Sequence, residues 1–394
     1  MNKRTSRRSN MDKKEIGYRL FAMVYGMCKI FPRKKNRVFL VMTHDAGPEG
    51  NVGVIRNYLN ASETDWEFCP LRRKDTNFSG PDKVTQLVRF FIRKPYELAT
   101  SSYVFQDNVF LPMAFIKFSK NVKVVQLWHG TGTIKKFGQD ANEGRLKQLE
   151  KMANSTITHL IVNGEKWKSL YSHIFSVKEE KTFVTGMPRT DILFQEEEQE
   201  KKVERFYEKY PELIGKKLVL YAPTFRDNEL GEQKLHLELE QMLKRLPKEV
   251  VIGLRLHPFV ADQFQYRGEG GERVKDFSHY DQLNTLLFAS KALITDYSSI
   301  IFEYVALRKP MYFYAYDLEK FSDEGRGFYE DYSSYVPGQV SKTTDELIAQ
   351  MIEEQTCEEV KEQWEEKRRK FQEENYAFED GNSTWRLMKL LKME

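Results

Sequence analysis

The chain has 394 residues, of which 40% are hydrophobic and 13% are aromatic, a composition that excludes a disordered protein. This length exceeds what one hydrophobic core usually supports, so we expect two domains. The formal net charge of +4 is small for the size and does not indicate nucleic-acid binding. Cys28, Cys69 and Cys357 are scattered, with neither metal-binding spacing nor the pattern of a disulfide framework, which favours a reducing, cytoplasmic environment.

The N-terminal segment is basic and then apolar. Residues 1–20 carry seven basic and two acidic side chains, and the mostly apolar stretch 16–31 is interrupted by Arg19 and Lys29. This stretch is too short and too charged to span a bilayer, and it lacks the cleavage site of a signal peptide. Residues 1–32 therefore form either a basic amphipathic helix on an anionic membrane surface, or a packed first helix with a basic tail.

From Arg37 onward, short apolar runs alternate with segments of helical periodicity, the pattern of βα units with a parallel sheet. The runs expected to be strands in the first half are 37–42, 103–105, 123–127, 160–162 and 182–184. The charged run 196–204 is expected to be a solvated helix face. The strand pattern restarts at 216–222, 250–256, 291–295 and 311–314, and a charged helix is expected over 353–370.

The fold class is therefore α/β, with two doubly wound domains over residues 33–205 and 206–394. Ligands of such sheets bind beyond the carboxyl ends of the strands, so both sets of loops are expected to line a central cleft.

The most informative polar turn follows the apolar run 292–294 and leads into a helical pattern that begins at Ile300. Asp296, Ser298 and Ser299 stand in this turn. Free backbone N–H groups and hydroxyls at a helix N-terminus form a phosphate-binding layout, although the same residues could simply cap the helix. Glu303, one turn into the helix, could accept hydrogen bonds from ribose hydroxyls or support the cap.

His129 ends a strand and precedes Gly130 and Thr131 in a glycine-containing turn. Glycine lets the backbone approach a ligand closely, and a histidine there can take a proton from an attacking hydroxyl near neutral pH. The competing interpretation is a buried histidine with a structural hydrogen bond.

His257 follows another strand and precedes Pro258, which ends the strand. Arg255 lies two residues earlier and is expected on the same face. Together, His257 and Arg255 could stabilise negative charge that develops on a leaving group. The alternative is a structural turn.

Two further arginines follow apolar runs. Arg189 and Arg226, the latter two residues after Thr224, are candidate phosphate or carboxylate clamps through their forked donors. Each could instead form an ordinary ion pair, with Asp191 and Asp227 respectively.

Several enzyme classes are disfavoured because the sequence lacks their motifs. It contains no P-loop signature, no GxGxxG after the first strand, no cysteine–histidine cluster and no GxSxG turn. Kinases, dehydrogenases and hydrolases are therefore disfavoured. We also expect no cofactor and no metal, because carboxylates and histidines do not occur at ligand spacing.

Taken in order, these motifs resemble the CDP-glycerol glycerophosphotransferase family, the teichoic-acid enzymes of Gram-positive bacteria. The matching segments are 126–138, 186–191, 221–227, 255–258, 294–299 with 302–303, and 380–383. Their order and spacing make the resemblance specific from about residue 100 to residue 385, while the first hundred residues match less distinctly.

The resemblance implies a GT-B architecture, with two Rossmann-like domains facing a central cleft and CDP-glycerol bound mainly by the C-terminal domain. An acceptor hydroxyl would attack the glycerol-linked phosphorus, and CMP would leave. His129 and His257 match the two essential histidines of the family. The residues that match family positions near the donor are Arg189, Thr224, Arg226, Asp296, Ser298, Ser299 and Glu303.

The family contains primases, which add the first glycerol phosphate to an undecaprenyl-diphosphate-linked disaccharide, and polymerases, which extend the chain. We expect a primase, because polymerases usually carry additional membrane-targeting sequence and because residues 134–138 resemble primases. A polymerase, a transferase of ribitol phosphate or another polyol phosphate, a GT-B nucleotide-sugar glycosyltransferase and a catalytically silent scaffold are the alternatives. The expected location is peripheral, on the cytoplasmic face of the cell membrane, where lipid-linked acceptors reside.

Overall fold

The computed structural model describes residues 2–393 except residues 46, 80, 225, 227–234, 263, 325 and 326. The chain forms two compact units. The first comprises Met1–Thr131, Phe137–Asp191 and Tyr376–Glu394, and the second comprises Gly132–Lys136 and Ile192–Asn375. In the described ranges, no helix combines the length and the apolarity that crossing a bilayer requires.

The first unit is built on one parallel sheet. Its strands are β1 (Lys34–Met42), β2 (Glu67–Arg72), β3 (Ser101–Gln106), β4 (Lys123–Gln126), β5 (His159–Val162) and β6 (Thr182–Val184). They stand in the order β2-β1-β3-β4-β5-β6, so the direction of winding reverses between β1 and β3. In open α/β sheets this reversal point, at the carboxyl ends of the strands, is where ligands bind.

Helices cover both faces of this sheet. They are α1 (Asn2–Cys28), α2 (Asn51–Asn60), α3 (Lys83–Val88), α4 (Lys94–Ala99), α5 (Gly144–Asn154) and α6 (Lys166–Phe175). A π-helical turn, Arg89–Arg93, joins α3 to α4 and makes 83–99 one continuous helical segment. Pro95 at the start of α4 explains the wider turn, because proline has no N–H to continue the α-helical hydrogen bonding.

Helix α1 packs on the first unit with one face only. Phe21 and Tyr25 are buried, and the ring of Phe21 lies 5.2 Å from that of Phe90 and 5.3 Å from that of Phe110. The packed first helix expected as one alternative is therefore present. The opposite face of α1 leaves large apolar side chains exposed, a feature that packing within this unit does not explain.

The second unit repeats the architecture. Its strands are β7 (Lys217–Ala222), β8 (Val250–Leu254), β9 (Val274–Asp276), β10 (Ala292–Thr295), β11 (Met311–Tyr314) and β12 (Val340–Ser341). The parallel order β12-β11-β10-β7-β8-β9 reverses between β7 and β10. Both strands are buried along almost their whole length, as expected for a sheet covered on both faces.

The remaining helices lie mostly in the second unit. They are α7 (Glu196–Lys209), α8 (Leu239–Arg245), α9 (Pro258–Ala261), α10 (Leu283–Ala289), α11 (Ile300–Tyr304), α12 (Leu318–Glu324), α13 (Tyr332–Tyr335), α14 (Thr344–Thr356), α15 (Glu358–Asn375) and α16 (Ser383–Leu391). The charged run expected as one helix over 353–370 is divided between α14 and α15, which meet at Cys357.

Helix α16 returns to the first unit. Its apolar face contributes Leu387, Met388 and Leu391 to the buried cluster on one side of the first sheet. The carboxylate of Asp191 accepts the N–H groups of Ser383 and Thr384 and so caps the helix. These units differ from the expected domain boundaries, because the chain passes to the second unit after residue 191 and returns after residue 375.

The turn after β6 gives a test of this packing. Gly186 has a φ of +77°, and a Cβ there would lie 2.2 Å from Ser383 Oγ. Gly144, in the same unit, has a φ of +56° and nothing within 4 Å of its would-be Cβ. Gly144→Ala should cost only the left-handed backbone strain, about 1–2 kcal/mol. Gly186→Ala should add the clash at the start of α16 and lower the denaturation midpoint further. Equal midpoints would show that α16 moves away without cost.

Candidate active site

The first polar site lies where the winding of the first sheet reverses. Asp107 directly follows β3, and its carboxylate accepts backbone N–H groups from the turn after the neighbouring β1. The acceptor distances are 3.1 Å from Thr43 N, 3.3 Å from His44 N and 2.9 Å from Asp45 N. Burial raises the pKa of Asp107 to about 6, and these backbone N–H groups oppose that rise. Asp107 therefore fixes the turn after β1 and carries its charge above about pH 6.

Asp107 also sets the tautomer of His129, the predicted catalytic histidine. Nδ1 of His129 lies 3.0 Å from the backbone carbonyl oxygen of Asp107. A carbonyl can only accept a hydrogen bond, so Nδ1 carries the proton of the neutral ring and Nε2 carries the lone pair. Among the described residues, Nε2 has no hydrogen-bond partner of its own. This is the tautomer that a general base requires.

Burial favours the neutral form of this ring. It lowers the pKa of His129 to about 3, with smaller contributions from the neighbouring His44 and Arg189. Because the folded pKa lies below the ordinary value of 6.5, the imidazole is neutral at physiological pH. An anionic ligand beside the ring would raise the pKa and strengthen the base.

The backbone around His129 is held in an unusual conformation. Trp128 has a φ of +57°, a left-handed value that a bulky residue rarely adopts. Its carbonyl oxygen accepts Nδ2 of Asn51 at 3.0 Å, and Oδ1 of Asn51 accepts the N–H of Arg189 at the same distance. The guanidinium of Arg189 in turn donates to the carbonyl oxygen of His129 at 2.6 Å. These contacts maintain the strained turn.

Arg189 therefore contacts the backbone of the site, and the carboxylate of Asp191 accepts a hydrogen bond at the start of α16. The ion-pair alternative for Arg189 stays a prediction. Its predicted role as a phosphate clamp stays a prediction. Gly130 and Thr131, which follow His129, are both buried.

The second polar site lies where the winding of the second sheet reverses. Thr224 follows β7, and Asp296 follows the neighbouring β10. Oδ1 of Asp296 accepts the N–H of Thr224 at 2.8 Å. The hydroxyl of Tyr332 donates to the carbonyl oxygen of Asp296 at 2.9 Å. Asp296 is 2% exposed, so its carboxylate serves this turn rather than acting as a solvent-exposed cap.

Arg226 neutralises part of that buried charge. Its NH2 lies 2.9 Å from Oδ2 of Asp296, and its Nε and NH2 form a fork with the carboxylate of Asp317 at 2.8 and 3.0 Å. NH1 donates to the carbonyl oxygen of Thr224. Burial lowers the pKa of Arg226, but the hydrogen bond and charge of Asp317 and the charge of Asp296 outweigh it and raise the pKa.

The donors of Arg226 thus hold the turn together, and its observed ion-pair partners are Asp296 and Asp317. Asp227 lies outside the described residues. The guanidinium also lies over the rings of Tyr297 and Phe321, with its carbon 4.9 and 5.0 Å from their centroids. The clamp role predicted for Arg226 stays a prediction. Its guanidinium donors already bond to groups of the protein.

The predicted site residues after Asp296 differ in exposure and in hydrogen bonding. Ser298 Oγ accepts the N–H of Ile300 at 3.3 Å, at the start of α11, while Ser299 is exposed. Glu303 is buried in α11. Ser298 therefore supports the helix start, and the exposed Ser299 is available to a ligand.

His257 and Arg255 follow β8, which neighbours β7, so they lie at the same edge of the sheet as Thr224. His257 is exposed, and its carbonyl oxygen accepts the N–H groups of Val260 and Ala261 in α9. NH1 of Arg255 lies within 2.8 Å of the carbonyl oxygens of residues 277, 278 and 280. Arg255 thus shapes a loop, whereas His257 presents its side chain to solvent.

Four residues of these sites were not predicted from the sequence. They are His44, Asn51, Asp107 and Asp317. His44 and Asp107 each follow a strand that the sequence did indicate, so a place after a strand is the signal that marks them, as it marks His129. Asn51 and Asp317 act through long-range contacts that leave no local pattern. Across the ranges described, no three His, Cys, Asp or Glu side chains are grouped to hold a metal ion.

The comparisons with known proteins agree with this architecture. Residues 23–392 match the family described as CDP-Glycerol:Poly(glycerophosphate) glycerophosphotransferase. The chain is 32% identical over 359 residues to the teichoic acid poly(ribitol-phosphate) polymerase of Bacillus spizizenii, covering 89% of this chain and 56% of that protein. It is 30% identical over 307 residues to the teichoic acid glycerol-phosphate primase of Bacillus subtilis, covering 76% of each.

The structure of the wall teichoic acid polymerase TagF superposes with a TM-score of 0.76 at 21% identity, over 100% of this chain and 98% of that one. A TagF variant soaked with CDPG gives a TM-score of 0.74. The predicted α/β class of GT-B type, with two Rossmann-like domains, is confirmed. The chain belongs to the CDP-glycerol:poly(glycerophosphate) glycerophosphotransferase family, and it spans little more than half the length of the Bacillus spizizenii polymerase.

A matched pair of substitutions tests whether Arg226 is structural. In Arg226→Lys, a lysine reaches one carboxylate and leaves the other buried and unpaired, which should destabilise the second unit by roughly 3–5 kcal/mol. Arg245→Lys makes the same chemical change in the exposed pair with Asp345 and should have little effect. Thermal unfolding measures both. A stable Arg226→Lys protein that has lost nucleotide binding would instead identify Arg226 as a ligand clamp.

Proposed function

We propose that this protein transfers glycerol phosphate from CDP-glycerol to a hydroxyl of a membrane-linked acceptor and releases CMP. The observation that carries the proposal is the state of His129. Its Nδ1 is tied to the carbonyl oxygen of Asp107, so its lone pair is on Nε2. In a family named for CDP-glycerol, such a group is suited to accept the proton of the attacking hydroxyl.

In the proposed step, one phosphorus–oxygen bond forms and another breaks. The acceptor oxygen forms a bond to the phosphorus that carries glycerol, and the bond from that phosphorus to the bridging oxygen of CMP breaks. The hydroxyl proton passes to Nε2 of His129, and the leaving electron pair stays on CMP. We assign His257, which is exposed after β8, to stabilising the charge on the leaving phosphate. The proposal includes no cofactor and no metal. Loss of activity in EDTA, with recovery when magnesium is added, would show that the reaction needs a metal ion.

We assign the donor to the second unit. Thr224 and Asp296 meet at the reversal point of its sheet, the position at which doubly wound sheets bind nucleotides. The exposed hydroxyl of Ser299 at the start of α11 fits a phosphate contact. Ribitol phosphate is the alternative transferred group, because the Bacillus spizizenii relative is a poly(ribitol-phosphate) polymerase.

For the acceptor we retain an undecaprenyl-diphosphate-linked disaccharide, the substrate of a primase. The support is the similarity to the Bacillus subtilis glycerol-phosphate primase over 76% of each chain. A polymerase is the second candidate, because the relatives include polymerases that match this chain over most of its length. The two are separated by product length, since a primase stops after the first unit.

We further propose that the exposed face of α1 rests on the cytoplasmic leaflet. Exposed apolar side chains recur at helical spacing on α1 and on the neighbouring helical segment 83–99. They form what we term the outer stripe: Ile16, Leu20, Met23 and Met27 on α1, with Val84, Val88 and Ile92 on the second helix. Apolar area and basic charge together favour binding to an anionic interface.

The first experiment measures CMP release with CDP-glycerol, CDP-ribitol and a UDP-sugar, each with a lipid-linked disaccharide. We expect release with a CDP-polyol and none with the UDP-sugar. His129→Asn should lower turnover by about 10²–10⁴-fold, because it removes the general base, while the unfolding temperature stays near that of the wild type. His173→Asn, at an exposed histidine on α6, is the control and should keep full turnover. Wild-type turnover in His129→Asn would remove His129 from the chemistry.

The outer stripe is tested by point substitutions, because deleting residues 1–32 would also uncover the core around Phe21. The double variant Met23→Glu, Met27→Glu should co-sediment less with anionic liposomes, and high salt should weaken the wild type in the same direction. Ile214→Glu, at an equally exposed position of the second unit, should bind as the wild type does. Undiminished sedimentation of the double variant would contradict the proposed membrane contact.

A further inference from the structure

The His129 ring has a second histidine lying directly against it. The centroids of His44 and His129 are 3.5 Å apart, and their planes differ by 4°. The indole of Trp128 lies 3.9 Å from the same His129 ring at an angle of 31°. Two rings at stacking distance cannot share one face of an imidazole, so His44 and Trp128 cover opposite faces. The plane of His129 is therefore fixed from both sides.

One residue, Asp107, positions both histidines. The carbonyl oxygen of Asp107 accepts Nδ1 of His129, while its carboxylate accepts the backbone N–H of His44 and of the residues on either side. The turn that carries His44 is thus built on the same support as the catalytic ring. The His44 side chain keeps solvent exposure on the part that does not stack.

Two imidazoles at this distance do not both hold a proton, because two positive charges would lie face to face in a partly buried site. The first proton goes to the more exposed ring. Burial lowers the pKa of His44; the charge of Asp45 opposes this, and those of Arg189 and Arg73 reinforce it. The carboxylate of Asp107 lies at the backbone N–H of His44. Once His44 is protonated, His129 is hindered from accepting the proton of a nucleophile.

We propose that His44 is a positioning residue for His129, which it holds in plane by stacking and with which it titrates as a coupled pair. This inference rests on the proposed function of His129 as the proton acceptor. Two consequences follow. Removing the ring should loosen the base, and replacing it by an uncharged ring should keep the geometry but change the response to acid.

The experiment compares three variants in the full chain. His44→Ala removes both the stack and the charge and should lower kcat by about 10- to 100-fold, as a displaced catalytic group does. His44→Phe keeps a stacking ring and should retain most of the turnover. Its acid limb in the pH profile of kcat should move to lower pH than in the wild type, where protonation of His44 hinders His129 from accepting a proton. His173→Phe is the control, at a histidine remote from the stack.

An NMR titration of the imidazole carbons separates this inference from the proposed function. In the wild type, the His129 signal should titrate in two steps with that of His44, and in His44→Phe it should show a single step. If no CDP-polyol yields CMP, the proposed function fails, and the titration alone decides on the stack. An unchanged kcat and acid limb in His44→Ala, or a His129 titration unaffected by His44→Phe, would overturn the positioning role.

Discussion

The hydrogen bond from a backbone N–H group to a buried carboxylate, at the point where strand order reverses, is the constraint on which both sites depend. The connections that follow the two neighbouring parallel strands lead away in opposite directions there, and the turn after one strand finds its acceptor in the turn after the other. Asp107 supplies it in the first unit and Asp296 in the second. Without these acceptors, buried N–H groups would lie unpaired at the carboxyl ends of the sheets, at a cost of about 1–3 kcal/mol each.

The charged groups around these carboxylates form contacts within the protein itself. Arg226 balances Asp296 and Asp317, and Arg189 donates to the backbone of His129. Such contacts fix the His129 ring and the turn around Asp296 within the protein itself, so the proposed reaction would need little reorganisation. They also explain why arginines next to the family motifs, which a sequence suggests as phosphate clamps, are found supporting the turns.

The sequence predicted the parts of the fold in which local and tertiary preferences agree. Central strands such as β7 and β10 are continuous apolar runs because both of their faces are buried. The missed strands lie at or near sheet edges: β2 contains Pro70 and is only partly buried, and β9 and β12 are very short. In the sites, His129 was indicated by its place after a strand, whereas its partners depend on contacts between residues far apart in the chain.

The return of α16 to the first unit constrains the order in which the two units can fold during synthesis. The second unit consists of residues 132–136 and 192–375, and all of them leave the ribosome before α16 does. The first sheet emerges earlier but lacks Leu387, Met388 and Leu391 on one face until α16 has been synthesised. The nascent chain therefore carries an apolar surface that is covered last, and folding of the second unit should precede final closure of the first.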